Sequence, residues 1–284
     1  MQYSKPEGVT IELYLVNGTA DGVVTAELSN WNGKAIKVPR TKLQAYTHDD
    51  IKGTGVYFLF CEDNNGVYIG EAENVAERLF QHIRDYSSGK ETFYWNSAVI
   101  FTGRDLNKAY IRYLENKLVE ISRQNKNANL LTKKTYKNTV LKESQISTLD
   151  TFIYNVKILI RVLGYQVLEE APTPENDTTY FYCQGNGVNA RGFLSNKGFT
   201  ILKDAKVSDH IAPSFETHGL SYFKLRQKLE KDGIVIDRVF QKNYEFSSPS
   251  AASSVIEGRP TNGNIEWKTE KGVKLKDFDT SAIN

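Results

Sequence analysis

GVYFLF at residues 55–60 and VYIGEAENVAERLFQH at residues 67–82 decide the reading of this chain. The first stretch and VYIG are apolar runs of strand length. CEDNN and Gly66 separate them, so they predict an antiparallel hairpin. Beyond VYIG, Val75, Leu79, His82 and Ile83 recur at helical spacing and predict a helix over 74–86. AVIFTG (98–103) reads as a third strand. Asp105 then stands where a cap would start a helix over 106–124, with an apolar stripe of Leu106, Ala109, Tyr110, Tyr113, Leu114, Leu118 and Ile121 that Lys117 interrupts. A hairpin, a helix, a strand and a helix predict an α+β class fold, a small antiparallel sheet flanked by helices, over residues 51–143.

Residues 1–50 read as a β-hairpin module. VTIELYLV (9–16), VVTAELSN (23–30) and GKAIKVP (33–39) are separated by the turn signals Asn17-Gly18, Asp21-Gly22 and Asn32-Gly33. Residues 144–170 read as a helical connector. Its stretch 145–163 is amphipathic, and Gly164 suits its C-terminal end. APTPEND (171–177) has the composition of a linker. Residues 178–284 then predict a C-terminal α+β domain. TYFYC and GFTILKD read as strands, and SYFKLRQKLEKDG as a helix ended by Gly233. Ser248, Pro249 and Gly258 mark the cap, first position and end of another helix. GNIEWKTEKGVKL reads as a hairpin. Lys224, Arg226, Lys228 and Lys231 would give the 221–233 helix a basic side.

Bulk composition narrows the class. Hydrophobic residues make up 40% of the 284 and charged residues 25%, as in ordinary globular proteins. No apolar run reaches the roughly 18 residues of a membrane span, and the N-terminus lacks the apolar core of a secretory signal. Two cysteines far apart, Cys61 and Cys183, form neither a disulfide framework nor a zinc pattern, and fit core thiols of a cytoplasmic protein. The net charge of +2 does not mark a nucleic-acid binder. Its distribution says more: between 122 and 142 stand Arg123, Lys126, Lys133, Lys134, Lys137 and Lys142, with no acidic residue among them. Such a cluster can neutralise phosphates locally.

The candidate chemistry lies in 55–129. Tyr57 and Tyr68 stand eleven positions apart on the two hairpin strands. Arg78 and His82, four apart, share one helix face. Glu115 belongs to the next helix, and Asn129 follows it by fourteen positions. Singly, a strand tyrosine is ordinary packing and a helical Arg, His or Glu ordinary surface; order and spacing give the set its meaning.

Taken together, GVYFLF, VYIGEAENVAERLFQH and YLENKLVEISRQNKNANLL (113–131) resemble the GIY-YIG nuclease family, which includes homing endonucleases, some restriction enzymes and the bacterial excision-repair nuclease. Residues 1–50 and 178–280 resemble segments that accompany this nuclease in a bacterial subfamily, the C-terminal part being similar to a domain family of unknown function. The resemblance implies a metal-dependent endonuclease acting on DNA, in restriction or phage defence, with RNA also open to a site that reads phosphate. The alternative is an inactive nucleic-acid-binding module that keeps the fold.

By the same resemblance Tyr57 and Tyr68 face the scissile phosphate, and one of them orients or deprotonates the attacking water. A phenol with a pKa of about 10 needs help at neutral pH, for which His82 is a candidate, or the base itself. Arg78 holds the phosphate. Glu115 binds one divalent ion, with Mg²⁺ the best match to hard oxygen ligands and retained waters. Asn129 ties the site together by hydrogen bonds, with Asn127 and Asn125 as alternatives. Where some members carry lysine after YIG, this chain has Glu71, followed by Glu73. The base therefore stays open among Tyr57, Tyr68 and His82.

Overall fold

The computed structural model describes residues 8–281 apart from 47, 134 and 136–138, and of residues 64 and 279–281 the backbone alone. Lys134 and Lys137 thus lie outside the described residues. The chain forms two compact units, divided between Glu169 and Glu170.

Unit one is built on a sheet of β1 (Ile11–Leu15), β2 (Val24–Leu28), β3 (Gly33–Pro39), β4 (Gly55–Cys61), β5 (Gly66–Ala72), β6 (Ser97–Gly103) and β7 (Asn129–Leu130). The spatial order is β1-β2-β3-β6-β4-β5-β7. The expected β4–β5 hairpin is present, in a register that sets Tyr57 opposite Gly70 and Leu59 opposite Tyr68. The N-terminal hairpins are not a separate layer. Seven residues of β3 pair with β6, from Gly33↔Gly103 to Pro39↔Ser97, which makes β1–β3 an extension of the same sheet. Buried Ala35, Ile36 and Val38 on β3 and Ala98, Val99, Ile100 and Phe101 on β6 give both faces of that junction an apolar covering.

Because strand side chains alternate, the sheet has two apolar faces, and helices cover each. On one face Tyr57, Leu59 and Ile100 pack with Val75, Ala76 and Leu79 of α1 (Val75–Ser87). On the other, Val56, Phe58, Val67, Ile69 and Phe101 pack with Ile111, Leu114 and Leu118 of α2 (Lys108–Asn125) and with Phe152, Val156 and Leu159 of α3 (Glu143–Val162). α3 is therefore part of the first core rather than a free connector. The start of α2 differs from the expected Asp105 cap. Asn107 is the cap, its side-chain oxygen accepting from the N–H groups of Ala109 and Tyr110 at 3.0 and 3.1 Å, while Asp105 accepts from Asn32. Either residue suits the role chemically; the turn after β6 decides which reaches the helix start.

Unit two has a sheet of β8 (Phe181–Gly185), β9 (Val188–Ser195), β10 (Gly198–Ile201) and β13 (Tyr244–Phe246), in the order β13-β10-β9-β8, and a small ladder of β11 (Val235–Ile236) and β12 (Val239–Phe240). Its helices are α4 (Pro213–Thr217), α5 (Leu220–Lys231), α6 (Pro249–Glu257), α7 (Gly263–Glu266) and α8 (Leu275–Ser281). Phe181, Phe199, Phe240, Phe246 and Trp267 dominate the core. Ser248 caps α6 and Gly258 ends it at φ +66°, as the sequence pattern predicts. The expected 263–275 hairpin is partly a helix: Asn262 caps α7, and the hairpin is confined to 267–275, where Thr269 donates to Val273, Leu275 donates to Trp267 and Lys268 bridges Lys274. Arg226 does not join a basic face. It is buried and donates to the carbonyls of Ser208 and Val255 and to Glu230. Among the described residues no helix is long and apolar enough to cross a membrane.

Candidate active site

The site is built where β5 becomes an edge. β7 runs parallel to β5 but pairs only with Gly66 and Val67. One step on, the Thr132 hydroxyl accepts from the Ile69 N–H at 2.8 Å and donates to the Ile69 carbonyl at 2.9 Å. Past that point a cavity of about 770 Å³ opens around Glu71–Asn74, lined by both tyrosines, Arg78, Lys108 and Glu115 among others.

On the α1 face, Tyr57 is buried on an interior strand and Tyr68 stacks beside it, with ring centroids 6.3 Å apart. Gly70 makes this possible: a Cβ there would stand 2.4 Å from the Tyr57 hydroxyl and 2.9 Å from the Tyr68 ring. Arg78 reaches in from α1 beside both tyrosines, and its charge opposes the rise that burial causes in their pKa values. One turn on, His82 is fully buried, and its Nε2 lies 2.9 Å from the Tyr57 hydroxyl. Burial first, then the nearby charges of Arg78 and Arg40, lower the His82 pKa to about 3, so the ring is neutral at ordinary pH. Burial holds the Tyr57 phenol well above its usual range, and Tyr68 adds to the rise while Arg78 opposes it. Tyr57 is thus a protonated phenol whose natural acceptor is the neutral imidazole.

On the α2 face stands Glu115, 5% exposed. Its Oε2 has no hydrogen-bond partner among the described residues. Burial, and then Glu71, raise its pKa to about 7; Lys108, Arg78 and Arg112 pull the other way. The carboxylate thus has a buried acidic neighbour. Glu71 is itself neutralised, with Lys108 Nζ 3.1 Å from its Oε2 and Arg112 Nε 3.9 Å from its Oε1. The lysine absent after YIG is therefore matched by a lysine reaching the cavity from α2. Sequence spacing gave no sign of Lys108, because it lies far along the chain. Its only signal was its place in the first turn of the Glu115 helix.

Some expected residues stand elsewhere. Asn129 is exposed and does not line the cavity; its backbone N–H donates to the Asn65 carbonyl at the far end of β5. Asn125 and Asn127 donate to the backbone carbonyls of Leu168 and of Gln166 and Glu169, so they tie the chain after α3 to the end of α2. Arg123, Lys126 and Lys133 are exposed and outside the cavity, with Lys133 directly following the Thr132 contact. Glu91 was missed: its Oε1 lies 2.5 Å from His82 Nδ1.

Two tyrosines, an arginine, a histidine and a buried carboxylate thus converge across one hairpin and two helices. Residues 53–129 match the family model of the GIY-YIG catalytic domain. The chain carries a GIY-YIG nuclease domain. Residues 181–279 match a domain of unknown function (DUF4357). No curated protein and no solved structure matches the chain. A GIY-YIG domain implies a nucleic-acid substrate, and GIY-YIG nucleases are in general dependent on a divalent metal. Glu115 fits that requirement, since a buried carboxylate oxygen without a donor is satisfied by a cation. Among the described residues no group of three or more His, Cys, Asp or Glu side chains could enclose an ion. A single carboxylate of this kind would be one ligand of a divalent ion whose other ligands are waters and substrate oxygens.

Proposed function

We propose that this chain is a metal-dependent endonuclease that hydrolyses phosphodiester bonds in DNA, with Tyr57, Tyr68, Arg78, His82 and Glu115 as its working residues. The observation that carries the reading is the meeting of the two tyrosines, Arg78 and the unpartnered Glu115 oxygen in one open cavity. A phosphodiester needs a cation for its charge, a proton acceptor for the attacking water and a second positive group for the leaving oxygen.

Arg78 meets the phosphate oxygens while keeping the tyrosine hydroxyls oriented. The water oxygen bonds to phosphorus as the bond to the leaving sugar oxygen breaks. The water proton passes to the Tyr57 oxygen as the phenol proton passes to His82 Nε2, a path open because the neutral ring 2.9 Å away can offer a lone pair. The leaving oxygen takes a proton from solvent, and His82 later returns its own. Held by Glu115, a divalent ion supplies Lewis-acid stabilisation of the charge that develops on the phosphate. Lys133, exposed directly after the Thr132 contact, would be suited to a flanking phosphate.

The test is cleavage of duplex, single-stranded and branched DNA, with an RNA arm, in Mg²⁺ and in EDTA. Mg²⁺-dependent cutting that falls at least about 10²-fold in Arg78→Ala and is lost in Glu115→Ala is expected. Cutting unchanged by both substitutions would refute the assignment. Salt-dependent binding without cutting of any substrate would make the chain a binding module instead.

A further inference from the structure

We propose that Glu91 is a positioning residue that fixes the tautomer of His82, so that its Nε2 is always the lone pair that receives the Tyr57 proton. The idea rests on the hydrolytic reading above. Its geometric basis is a three-member line through the ring: Glu91 Oε1 at 2.5 Å from Nδ1, and the Tyr57 hydroxyl at 2.9 Å from Nε2.

A neutral imidazole carries one N–H, and whichever nitrogen bears it cannot accept a proton. If Nε2 carried it, the ring could only donate to Tyr57, and the proton path would run backwards. A carboxylate at Nδ1 holds the N–H there and leaves Nε2 free. This is the logic by which an acidic residue orients the histidine of a hydrolytic triad.

The surroundings leave the task to Glu91. His82 is enclosed by aromatic rings, with Tyr57, Tyr68 and Phe93 centroids 5.6, 5.1 and 6.4 Å from its own. The cations acting on it are Arg78, one turn back on the same helix, and Arg40 after β3, and both resist a positive ring. Glu91 is the carboxylate at the ring, and it offsets those charges when His82 takes the proton. It is also held in place. The N–H groups of Lys90 and Glu91 both donate to the Asp85 carbonyl, at 2.9 and 3.1 Å, which folds the chain back after α1. The side chain is 17% exposed, and its Oε2 has no hydrogen-bond partner among the described residues. A residue serving only to anchor the loop would have no reason to spend a buried carboxylate on one ring nitrogen.

The experiment has two readouts. Proton–nitrogen NMR of the full chain reports the His82 tautomer, with His82→Gln identifying the signal. The expected result is the Nδ1–H form in wild type and loss of that preference in Glu91→Gln, which keeps the shape and removes the charge. Steady-state kinetics on a DNA substrate should show kcat at least about 10²-fold lower in Glu91→Gln with KM little changed, and partial recovery in Glu91→Asp. A wild-type Nε2–H tautomer, or a Glu91→Gln protein with kcat within about threefold of wild type, would overturn the proposal. The NMR readout needs no turnover, so it judges Glu91 even if the chain cuts no DNA. Thermal melts of both variants confirm that the comparison is between folded proteins.

Discussion

Replacing Glu115 by glutamine should stabilise the metal-free protein while abolishing its activity. The carboxyl has its pKa raised from 4.5 to about 7. At about 1.4 kcal/mol for each tenfold change in proton affinity, keeping it ionised in the fold costs about 3 kcal/mol. The sign follows from linkage. The folded state holds the proton more tightly than the unfolded chain, so this contribution is fully present below pH 4.5 and is lost as pH rises through about 7. Glu115→Gln removes the charge but keeps the volume, so the gain appears at pH 8 and vanishes near pH 4.5. A unit of this size moves its melting temperature by about 2–4 °C per kcal/mol, which predicts a rise of about 6–12 °C at pH 8 in EDTA. Differential scanning calorimetry at both pH values, with and without Mg²⁺, is the assay. Mg²⁺ should raise the wild-type melting temperature and leave the variant unmoved. Equal melting of the two proteins at pH 8 in EDTA would refute the claim that Glu115 is a charge held in waiting for a cation.

Other expectations follow from single contacts. Gly70→Ala would drive a methyl group against the Tyr57 hydroxyl, and the buried ring has nowhere to retreat; a loss of about 1–3 kcal/mol in urea melts and a fall in kcat should appear together. Cys61 and Cys183 are both free and buried, with burial raising the Cys61 thiol to about 11 and the Cys183 thiol further. Neither should react with a disulfide reagent until the protein is unfolded in urea, and fast labelling of either in the native state would show that its strand opens. Deleting residues 1–44 strips β3 from the whole length of β6, so no soluble folded nuclease domain is expected; a monomeric truncated protein with a cooperative melt would contradict the shared sheet.

The hairpin, α1, the third strand and α2 were legible because each is a local pattern: a strand-length apolar run, a helical stripe, a turn signal. So were Tyr57, Tyr68, Arg78, His82 and Glu115, whose order along the chain carries their meaning. What was not legible depends on partners distant in sequence. That β3 should pair with β6, across the entire β4–β5 hairpin and α1, follows from edge complementarity that no window of residues contains. Lys108 beside Glu71 and Glu91 beside His82 are meetings of the same kind. Asn129 illustrates the reverse case. Its spacing from Glu115 fits the family pattern, yet the parallel run of β7 along β5 leaves it at the end of the strand remote from the cavity. The α2 cap was misplaced by two positions for a simpler reason, since Asp105 and Asn107 are chemically alike and only the turn after β6 tells them apart.

The two halves of the cavity rest on opposite sides of one sheet. Tyr57, Tyr68, Arg78 and His82 lean on the α1 layer, while Glu71, Lys108 and Glu115 lean on the α2 and α3 layer. Apolar changes beneath one half are therefore separated from the other by β4, an interior strand paired on both sides from Gly55 to Phe60. Ion preference could drift through substitutions under α2 without disturbing proton handling, and the pH range of turnover could be retuned under α1 without altering the ion. A two-sided support of this sort makes the chemistry modular, and a screen of core variants should sort into two classes rather than one.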